Sequence, residues 1–231
     1  MQLFPVVHIT ESVDLAFQQA KIAFEAGANG VQLIDHDHST TERVVDTFGA
    51  IIESPEIDGI FMVGVNFLAS TPFQGFKRLA ELEEATGQLP TMLWADDYKD
   101  SLSSTSEIRN QRPALKRVAY AGGVAFKYTS DATEDPILAK RLAIEALPHV
   151  DIVVTSGLRT GDPPGPAKVE SMKRAIGETP LAVASGITPY NVKEFSTADM
   201  VFVSTSIEVI KGCGVFSIDA LKGMVRAVRS I

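Results

Sequence analysis

Eight short apolar runs recur along the chain at a nearly constant spacing, and this repeat limits the possible folds more than any other feature. The runs begin about 28 residues apart on average, which leaves room for a strand, a loop, a helix and a return loop. They cover residues 3–9, 30–35, 60–68, 90–96, 122–128, 151–156, 181–185 and 200–204.

The segments between these runs carry apolar residues at three- and four-residue spacings, the pattern of amphipathic helices. Between residues 101 and 119, Pro113 limits any helix to the residues on either side of it. Residues 188–199 leave room for only a short helix. The clearer helical segments cover residues 12–26, 41–52, 73–86, 134–147, 166–176 and 218–230.

Strands that alternate with helices predict a parallel sheet with right-handed crossovers. Eight equal units close most naturally into an α/β fold of the (β/α)8 TIM-barrel type, formed as a single domain by residues 1–231. An open doubly wound sheet is the alternative, but no G-x-G-x-x-G motif follows the first run.

Composition and charge exclude several classes of protein. Hydrophobic residues make up 45% of the chain and charged residues 22%, which excludes a disordered protein or a collagen-like fibre. The net charge of −8 argues against a nucleic-acid partner, and the single cysteine, Cys213, excludes an intrachain disulfide. No apolar run approaches the ~20 residues of a membrane-spanning helix, so we expect no integral membrane segment. Since residues 1–5 lack the pattern of a secretory signal, we expect a cytoplasmic protein; homo-oligomer formation stays open.

Polar residues gather where the apolar runs end. The chemistry of a TIM barrel takes place at the carboxyl ends of its strands, so these residues are the candidate site. We expect Lys127, Asp96 and His8 to be catalytic. We expect the substrate to contact Asp35, His36, Asn66, Thr155, Gly157, Arg159, Thr160, Ser185, Gly186, Thr205 and Ser206.

Lys127 is the leading candidate for chemistry. The alternation of strand side chains predicts that Lys127 points into the barrel while Val124 and Phe126 face the helices. An amine between apolar walls loses its proton more readily and can attack a carbonyl group, whereas a charged amine can hold a phosphate or carboxylate. The alternative is an ion pair with Asp96 or Asp97.

Histidines and carboxylates at the other run ends offer proton transfer or metal binding. His8 is a candidate proton carrier, or a histidine that simply packs at the barrel mouth. Asp96 is a candidate general base, or a salt-bridge partner. The D-H-D-H sequence at residues 35–38 contains metal ligands, but adjacent strand residues point in opposite directions. We therefore expect no cofactor, with a divalent ion at His36 or His38 as the alternative.

Two further regions favour ligand binding. The Gly/Pro-rich residues 155–166 could fold over a ligand, with contacts from Arg159, or form a rigid connector. Ser185-Gly186 and Thr205-Ser206 follow the last two strands, where barrels often bind phosphate, although Glu208 opposes an anion there.

Several motifs, taken in order, resemble those of the BtpA family, which is named for a protein implicated in photosystem I biogenesis. Val7-His8-Ile9 is similar to I-H-L, residues 64–68 to G-V-N-x-L, Phe126-Lys127 to V-K, residues 151–161 to a stretch ending T-G-x-x-T-G, and residues 185–192 to S-G-V-T-x-x-N-V. The resemblance implies a TIM barrel related to the ribulose-phosphate-binding barrels. Residues 204–208 depart from the family's G-T-S-x-K, since they read S-T-S-I-E.

Together these features favour an enzyme that acts on a small, phosphorylated sugar or nucleotide-like substrate, by an isomerase- or lyase-type reaction. Lys127-Tyr128-Thr129-Ser130 is similar to the Schiff-base segment of deoxyribose-phosphate aldolases, which makes an aldolase one version of this hypothesis. The alternative is a non-enzymatic assembly or regulatory factor, as the BtpA resemblance implies.

Overall fold

A computed structural model describes residues 1–10, 12–36 and 41–231. Eight parallel strands pair in chain order, and the eighth pairs with the first, which confirms the predicted closed barrel and single-domain fold. The strands are β1 (Gln2–Ile9), β2 (Gly30–Asp35), β3 (Met62–Asn66), β4 (Met92–Ala95), β5 (Ala119–Gly123), β6 (Ile152–Thr155), β7 (Leu181–Ala184) and β8 (Met200–Val203).

Seven α-helices surround the barrel within the described ranges. They are α1 (Val13–Ala26), α2 (Glu42–Glu53), α3 (Pro72–Thr86), α4 (Leu102–Gln111), α5 (Pro136–Ala146), α6 (Pro166–Ile176) and α7 (Ile218–Arg229). As expected, α4 ends before Pro113, where a 3₁₀ turn begins, and a 3₁₀ turn at Val192–Phe195 takes the place of the helix between β7 and β8. None of the helices in the described ranges is long and apolar enough to cross a membrane.

Local sequence explains where several helices begin. Ser12 accepts a hydrogen bond from the Leu15 amide at the start of α1, and Thr71 and Gln74 form a capping box at the start of α3. Asp135 caps α5 in the same way. These caps satisfy amide groups that the helices themselves leave unpaired.

The core has two layers. The larger layer lies between the strands and the helices, and the smaller one fills the barrel interior around Phe4, Trp94 and Phe202. In β3, Val63 and Val65 pack in the outer layer, as the alternation predicts.

The fifth strand differs from the prediction. It ends at Gly123 instead of continuing to Tyr128. A side chain at Gly123 would place its Cβ 2.0 Å from the Asp96 carbonyl oxygen, so the glycine lets the β4 loop cross β5 closely. Ala125 then adopts a left-handed conformation with φ 48°, which ends the alternation. The prediction for Phe126 is therefore wrong, since its ring lies inside the barrel, 6.0 Å from that of Trp94.

Backbone strain is concentrated at one end of the barrel. Five non-glycine residues of the described ranges have positive φ, and all five lie in loops that follow strands. They are Ala69, Ser101, Ala125, Tyr128 and Ser185. Strained backbone of this kind persists where the surrounding structure enforces it, and it is common at functional sites.

Candidate functional site

Lys127 lies at the carboxyl-end mouth of the barrel, in the loop that follows β5. It is partly exposed, in contrast to the predicted interior position, because the chain has already left β5. Its Nζ donates a hydrogen bond to Thr160 Oγ1 at 3.3 Å and lies 5.7 Å from the centroid of the Phe126 ring. Lys127 lines two depressions, so its ammonium group can contact a ligand in either one.

The first depression, here called the inner cavity, enters the barrel mouth and has a volume of about 120 Å³. Its floor is apolar, and the indole N–H of Trp94 in that floor has no hydrogen-bond partner among the described residues. Its polar wall contains one cation, one imidazole and several hydroxyl groups. This wall consists of His8, Lys127, Thr160, Gly161, Ser185, Gly186, Ser204 and Thr205.

The second depression, here called the outer groove, has a volume of about 640 Å³ and an acidic wall that includes Asp96, Asp97 and Asp100. Asn66 Nδ2 donates a hydrogen bond to Asp96 Oδ1 at 3.1 Å. Burial raises the pKa of Asp96 above its usual value, although the hydrogen bond from Asn66 and the charge of Lys127 oppose this shift. Asp96 therefore takes up a proton more readily than an ordinary aspartate.

His8 connects the end of β1 to two neighbouring loops. Its Nδ1 lies 2.7 Å from His36 Nε2, and its Nε2 lies 3.2 Å from Ser204 Oγ. Burial lowers the pKa of His8 to about 4, and His36 contributes to the decrease while Glu208 opposes it. The ring of His8 is consequently neutral at pH 7 and able both to donate and to accept hydrogen bonds.

The β6–α6 loop is tied to the end of β7 by Ser185. Its Oγ donates to the Arg159 carbonyl at 3.0 Å and accepts from the Gly161 amide at 2.9 Å. A Cβ at Gly157 or Gly186 would collide with the backbone of this loop near Pro163. The side chain of Arg159 is exposed and lines neither depression, so this loop contributes Thr160 and backbone to the inner cavity.

Several expected ligand contacts lie elsewhere in the structure. Thr155 is fully buried. It lies two residues after Val153 on β6 and so points to the same side, toward the outer layer in which Val153 packs. Asp35 is buried beside α2 and accepts a hydrogen bond from Arg43 Nη2 at 2.6 Å. Ser206 Oγ donates to the Ile187 carbonyl at 2.7 Å. These three residues and Gly157 line neither depression, so the structure gives them packing or loop contacts in place of the expected ligand contacts.

The fully buried amine of this structure is Lys168, which sequence reasoning missed. Its Nζ donates to the carbonyls of Ala125 and Ser156, at 2.8 and 2.7 Å, and to Glu134 Oε1 at 3.3 Å. Burial lowers the pKa of Lys168. A signal was present in the sequence, because Lys168 lies beside Val169 on the apolar stripe of α6.

Ser156 and Ser204 were also missed as supporting residues. Ser156 Oγ accepts a hydrogen bond from the Lys127 amide at 2.9 Å and thereby holds the backbone of the central lysine. Ser204 lines the inner cavity and donates to Glu208 Oε1 at 2.9 Å. The sequence did contain a signal for both residues, because each is a small hydroxyl residue directly after a strand.

Metal ligands do not cluster in the part of the chain that the structure describes, since no three His, Cys, Asp or Glu side chains converge there. His36 lies against His8, whereas Asp37 and His38, the other candidate ligands, fall outside the described residues. The side chains of the site offer a cation, a neutral imidazole, a carboxyl group of raised pKa and a set of hydroxyl groups.

The chain matches no family model and no curated protein sequence. It is similar in structure to thiamine phosphate pyrophosphorylase from Pyrococcus furiosus, with a TM-score of 0.68 and 12% identity over 99% of this chain and 96% of the other. N-(5'-phosphoribosyl)anthranilate isomerase from Pyrococcus furiosus gives a TM-score of 0.66 and 15% identity over 100% of both chains.

A third similar structure is (S)-3-O-geranylgeranylglyceryl phosphate synthase from Thermoplasma acidophilum, solved in complex with its substrate sn-glycerol-1-phosphate. Its TM-score is 0.65 and its identity 14%, over 100% of this chain and 94% of the other. At such identities the similarity shows the fold. The comparisons therefore identify the chain as a TIM barrel, in agreement with its own strand order.

Proposed function

We propose that the chain is an enzyme that binds a small phosphorylated substrate at the barrel mouth and carries out an isomerase- or lyase-type reaction on it. One observation carries this proposal: Lys127 shares the inner cavity with hydroxyl groups from three separate loops, at Thr160, Ser185 and Thr205. A cation beside hydroxyl groups suits a phosphate group, and Thr160 and Thr205 can donate to it, whereas Ser185 gives its proton to the Arg159 carbonyl. The net charge of the whole chain is −8, so this site is not part of a generally basic surface.

The position of the cavity supports the same proposal. TIM barrels frequently bind phosphate with the loops that follow their last two strands. Here these loops supply Ser185 and Gly186 after β7, and Ser204 and Thr205 after β8. The similar structures include enzymes named for thiamine phosphate, for a phosphoribosyl compound and for a glyceryl phosphate. This is an analogy of folds, and the residues of the cavity carry the argument.

Each proposed catalytic residue has a role that its environment favours. Lys127 holds the phosphate or stabilises negative charge that develops on the substrate, since it contacts both depressions. Asp96 is the proposed acid or base, because its raised pKa brings proton exchange closer to neutral pH. The neutral His8 orients the substrate by hydrogen bonding. Membership of the BtpA family is also a proposal, and it rests on the short motifs alone.

Calorimetric titration with inorganic phosphate and with glycerol phosphate tests this function. We expect both to bind, and we expect Lys127→Gln to weaken binding by about 10-fold or more, the usual effect of losing a charge-assisted hydrogen bond. Lys222→Gln is the matched control, because Lys222 is an exposed lysine on α7. Equal affinities for wild type and Lys127→Gln would contradict the proposal and favour the non-enzymatic assembly or regulatory role.

An aldolase-type reaction is the version of this proposal that uses Lys127 as a nucleophile. It requires a covalent Schiff base between the Lys127 amine and a substrate carbonyl group. Borohydride treatment in the presence of small phosphorylated aldehydes would trap that adduct, and peptide mass spectrometry would locate it. If wild-type protein forms no adduct at saturating aldehyde, the lysine acts through its charge instead.

A further inference from the structure

Four side chains form a continuous hydrogen-bonded chain, here called the His–Glu relay, and two of them, His8 and Ser204, line the inner cavity. His36 Nε2 lies 2.7 Å from His8 Nδ1, and His8 Nε2 lies 3.2 Å from Ser204 Oγ. Ser204 Oγ in turn lies 2.9 Å from Glu208 Oε1. The relay begins at the exposed His36 and ends at Glu208, whose second carboxylate oxygen accepts a hydrogen bond from the Gly212 amide.

The carboxylate at the end of the relay determines where the other protons lie. A carboxylate oxygen can only accept, so Ser204 gives its single hydroxyl proton to Glu208. The oxygen of Ser204 can then only accept from His8, which places a proton on His8 Nε2. In a neutral imidazole the other nitrogen carries a lone pair, so His8 Nδ1 accepts a hydrogen bond from His36. All three hydrogen bonds therefore point toward Glu208.

We propose that Glu208, acting through Ser204, is a positioning residue. It keeps His8 Nδ1 unprotonated, so that this nitrogen can accept a hydrogen bond from a hydroxyl group of the substrate in place of the one from His36. The part that concerns the substrate rests on the proposed function. The group that takes the place of His36 must be a donor, since Nδ1 can only accept. This requirement excludes substrates without a hydrogen-bond donor at that position, and we assign the donor to a hydroxyl group, as in sugar or polyol phosphates.

The surrounding charges are consistent with this role. Lys127 and His36 lower the pKa of His8, in addition to the effect of burial, whereas Glu208 raises it. Glu208 is therefore the group that favours positive charge on His8 when the ring shares a proton with the substrate. The direction of the hydrogen bonds also excludes Ser204 as a nucleophile activated by His8, because such a serine donates its proton to the imidazole.

Imidazole nitrogen spectra of the ligand-free protein test the tautomer directly. Long-range ¹H–¹⁵N correlation at pH 7 distinguishes protonated from bare ring nitrogens, and His8→Gln assigns the signals. We expect the proton of His8 on Nε2 in the wild type. We expect the Nδ1-protonated form to increase in Ser204→Ala, where Nε2 loses its acceptor, and in Glu208→Gln, where an amide group can donate to Ser204.

Glu194→Gln is the matched control for charge, because Glu194 is an exposed acidic residue in the 3₁₀ turn at Val192–Phe195, and we expect it to keep the wild-type spectrum. A proton on His8 Nδ1 in the wild type would overturn the inference. So would an identical tautomer distribution in the wild type, Ser204→Ala and Glu208→Gln.

Two ligands that differ by one hydroxyl group test the substrate class. We expect 2-hydroxyethyl phosphate to bind wild type about 5-fold more tightly than ethyl phosphate, the effect of one hydrogen bond. Equal binding of the two phosphates to the wild type would overturn the substrate assignment. If neither binds, the proposed phosphate function fails, while the ligand-free spectra still decide the role of Glu208.

Discussion

The ammonium group of Lys168 donates a hydrogen bond to the carbonyl oxygen of Ala125, 2.8 Å away. Ala125 is the left-handed residue at which the chain turns away from β5 and brings Lys127 to the barrel mouth. Lys168 also binds the Ser156 carbonyl, and Ser156 Oγ accepts from the Lys127 amide. A buried lysine on α6 thus supports the backbone that positions the exposed lysine of the site.

Lys168→Met is expected to destabilise the protein strongly. The variant keeps the apolar stem but leaves two buried carbonyl groups without their donor and removes one of the two donors to Glu134, which we expect to cost about 3 kcal/mol in free energy of unfolding. Urea denaturation measures this cost, with Lys222→Met on the exposed face of α7 as the control. A loss below about 0.5 kcal/mol would show that the buried amine does not hold these loops.

Lys127→Gln is expected to leave the free energy of unfolding within about 0.5 kcal/mol of the wild type. The side chain is partly exposed and makes one 3.3 Å hydrogen bond, to Thr160, so little stability depends on it. The same urea measurement separates a residue kept for ligand binding from one kept for folding. A loss as large as that expected for Lys168→Met would assign Lys127 a structural role.

His8 is expected to make stability depend on pH. Its pKa is about 4 in the folded protein and 6.5 in an unfolded chain, so the unfolded state binds more protons between these values. The contribution of His8 to the free energy of unfolding is therefore greatest above pH 6.5. We expect this free energy to decrease by about 2–3 kcal/mol as the pH falls from 6.5 to 4. Urea denaturation of wild type and His8→Gln at a series of pH values isolates this contribution, since the other groups are common to both. The same pH dependence of the free energy of unfolding in wild type and His8→Gln would contradict this prediction.

Gly186→Ala is expected to disrupt the loop that covers the inner cavity. Gly186 has φ 64°, and a Cβ there would lie 2.4 Å from the Pro163 nitrogen. The control is Gly212→Ala, which has φ 85° but no atom within 4 Å of its Cβ and so carries only the conformational cost, about 1 kcal/mol. We expect Gly186→Ala to exceed this cost by at least about 1 kcal/mol in free energy of unfolding. Similar losses in the two variants would show that the close packing of Pro163 contributes little.

Residues at the strand ends reach the site as predicted where the strand itself is regular. His8 and Asn66 lie at the carboxyl ends of β1 and β3, Ser185 directly follows β7, and all three reach the barrel mouth or its rim. Lys127 reaches it by a different route, because Ala125 breaks the strand alternation on which its predicted orientation depended. Asp35 pairs with Arg43, eight residues later in the chain, and this pairing depends on how α2 packs against the end of β2.

The amino-acid sequence by itself determined the repeated strand and helix pattern, and hence the closed barrel, because the periodicity of apolar residues reports which face of each element is buried. Only the tertiary structure decided that Lys168 is the buried amine and that His8 lies in a hydrogen-bonded chain ending at Glu208. His8 and Ser204 are 196 positions apart in the chain and meet only because β8 closes on β1. Burial, tautomer and pKa arise from such non-local contacts, and no local pattern of residues encodes them.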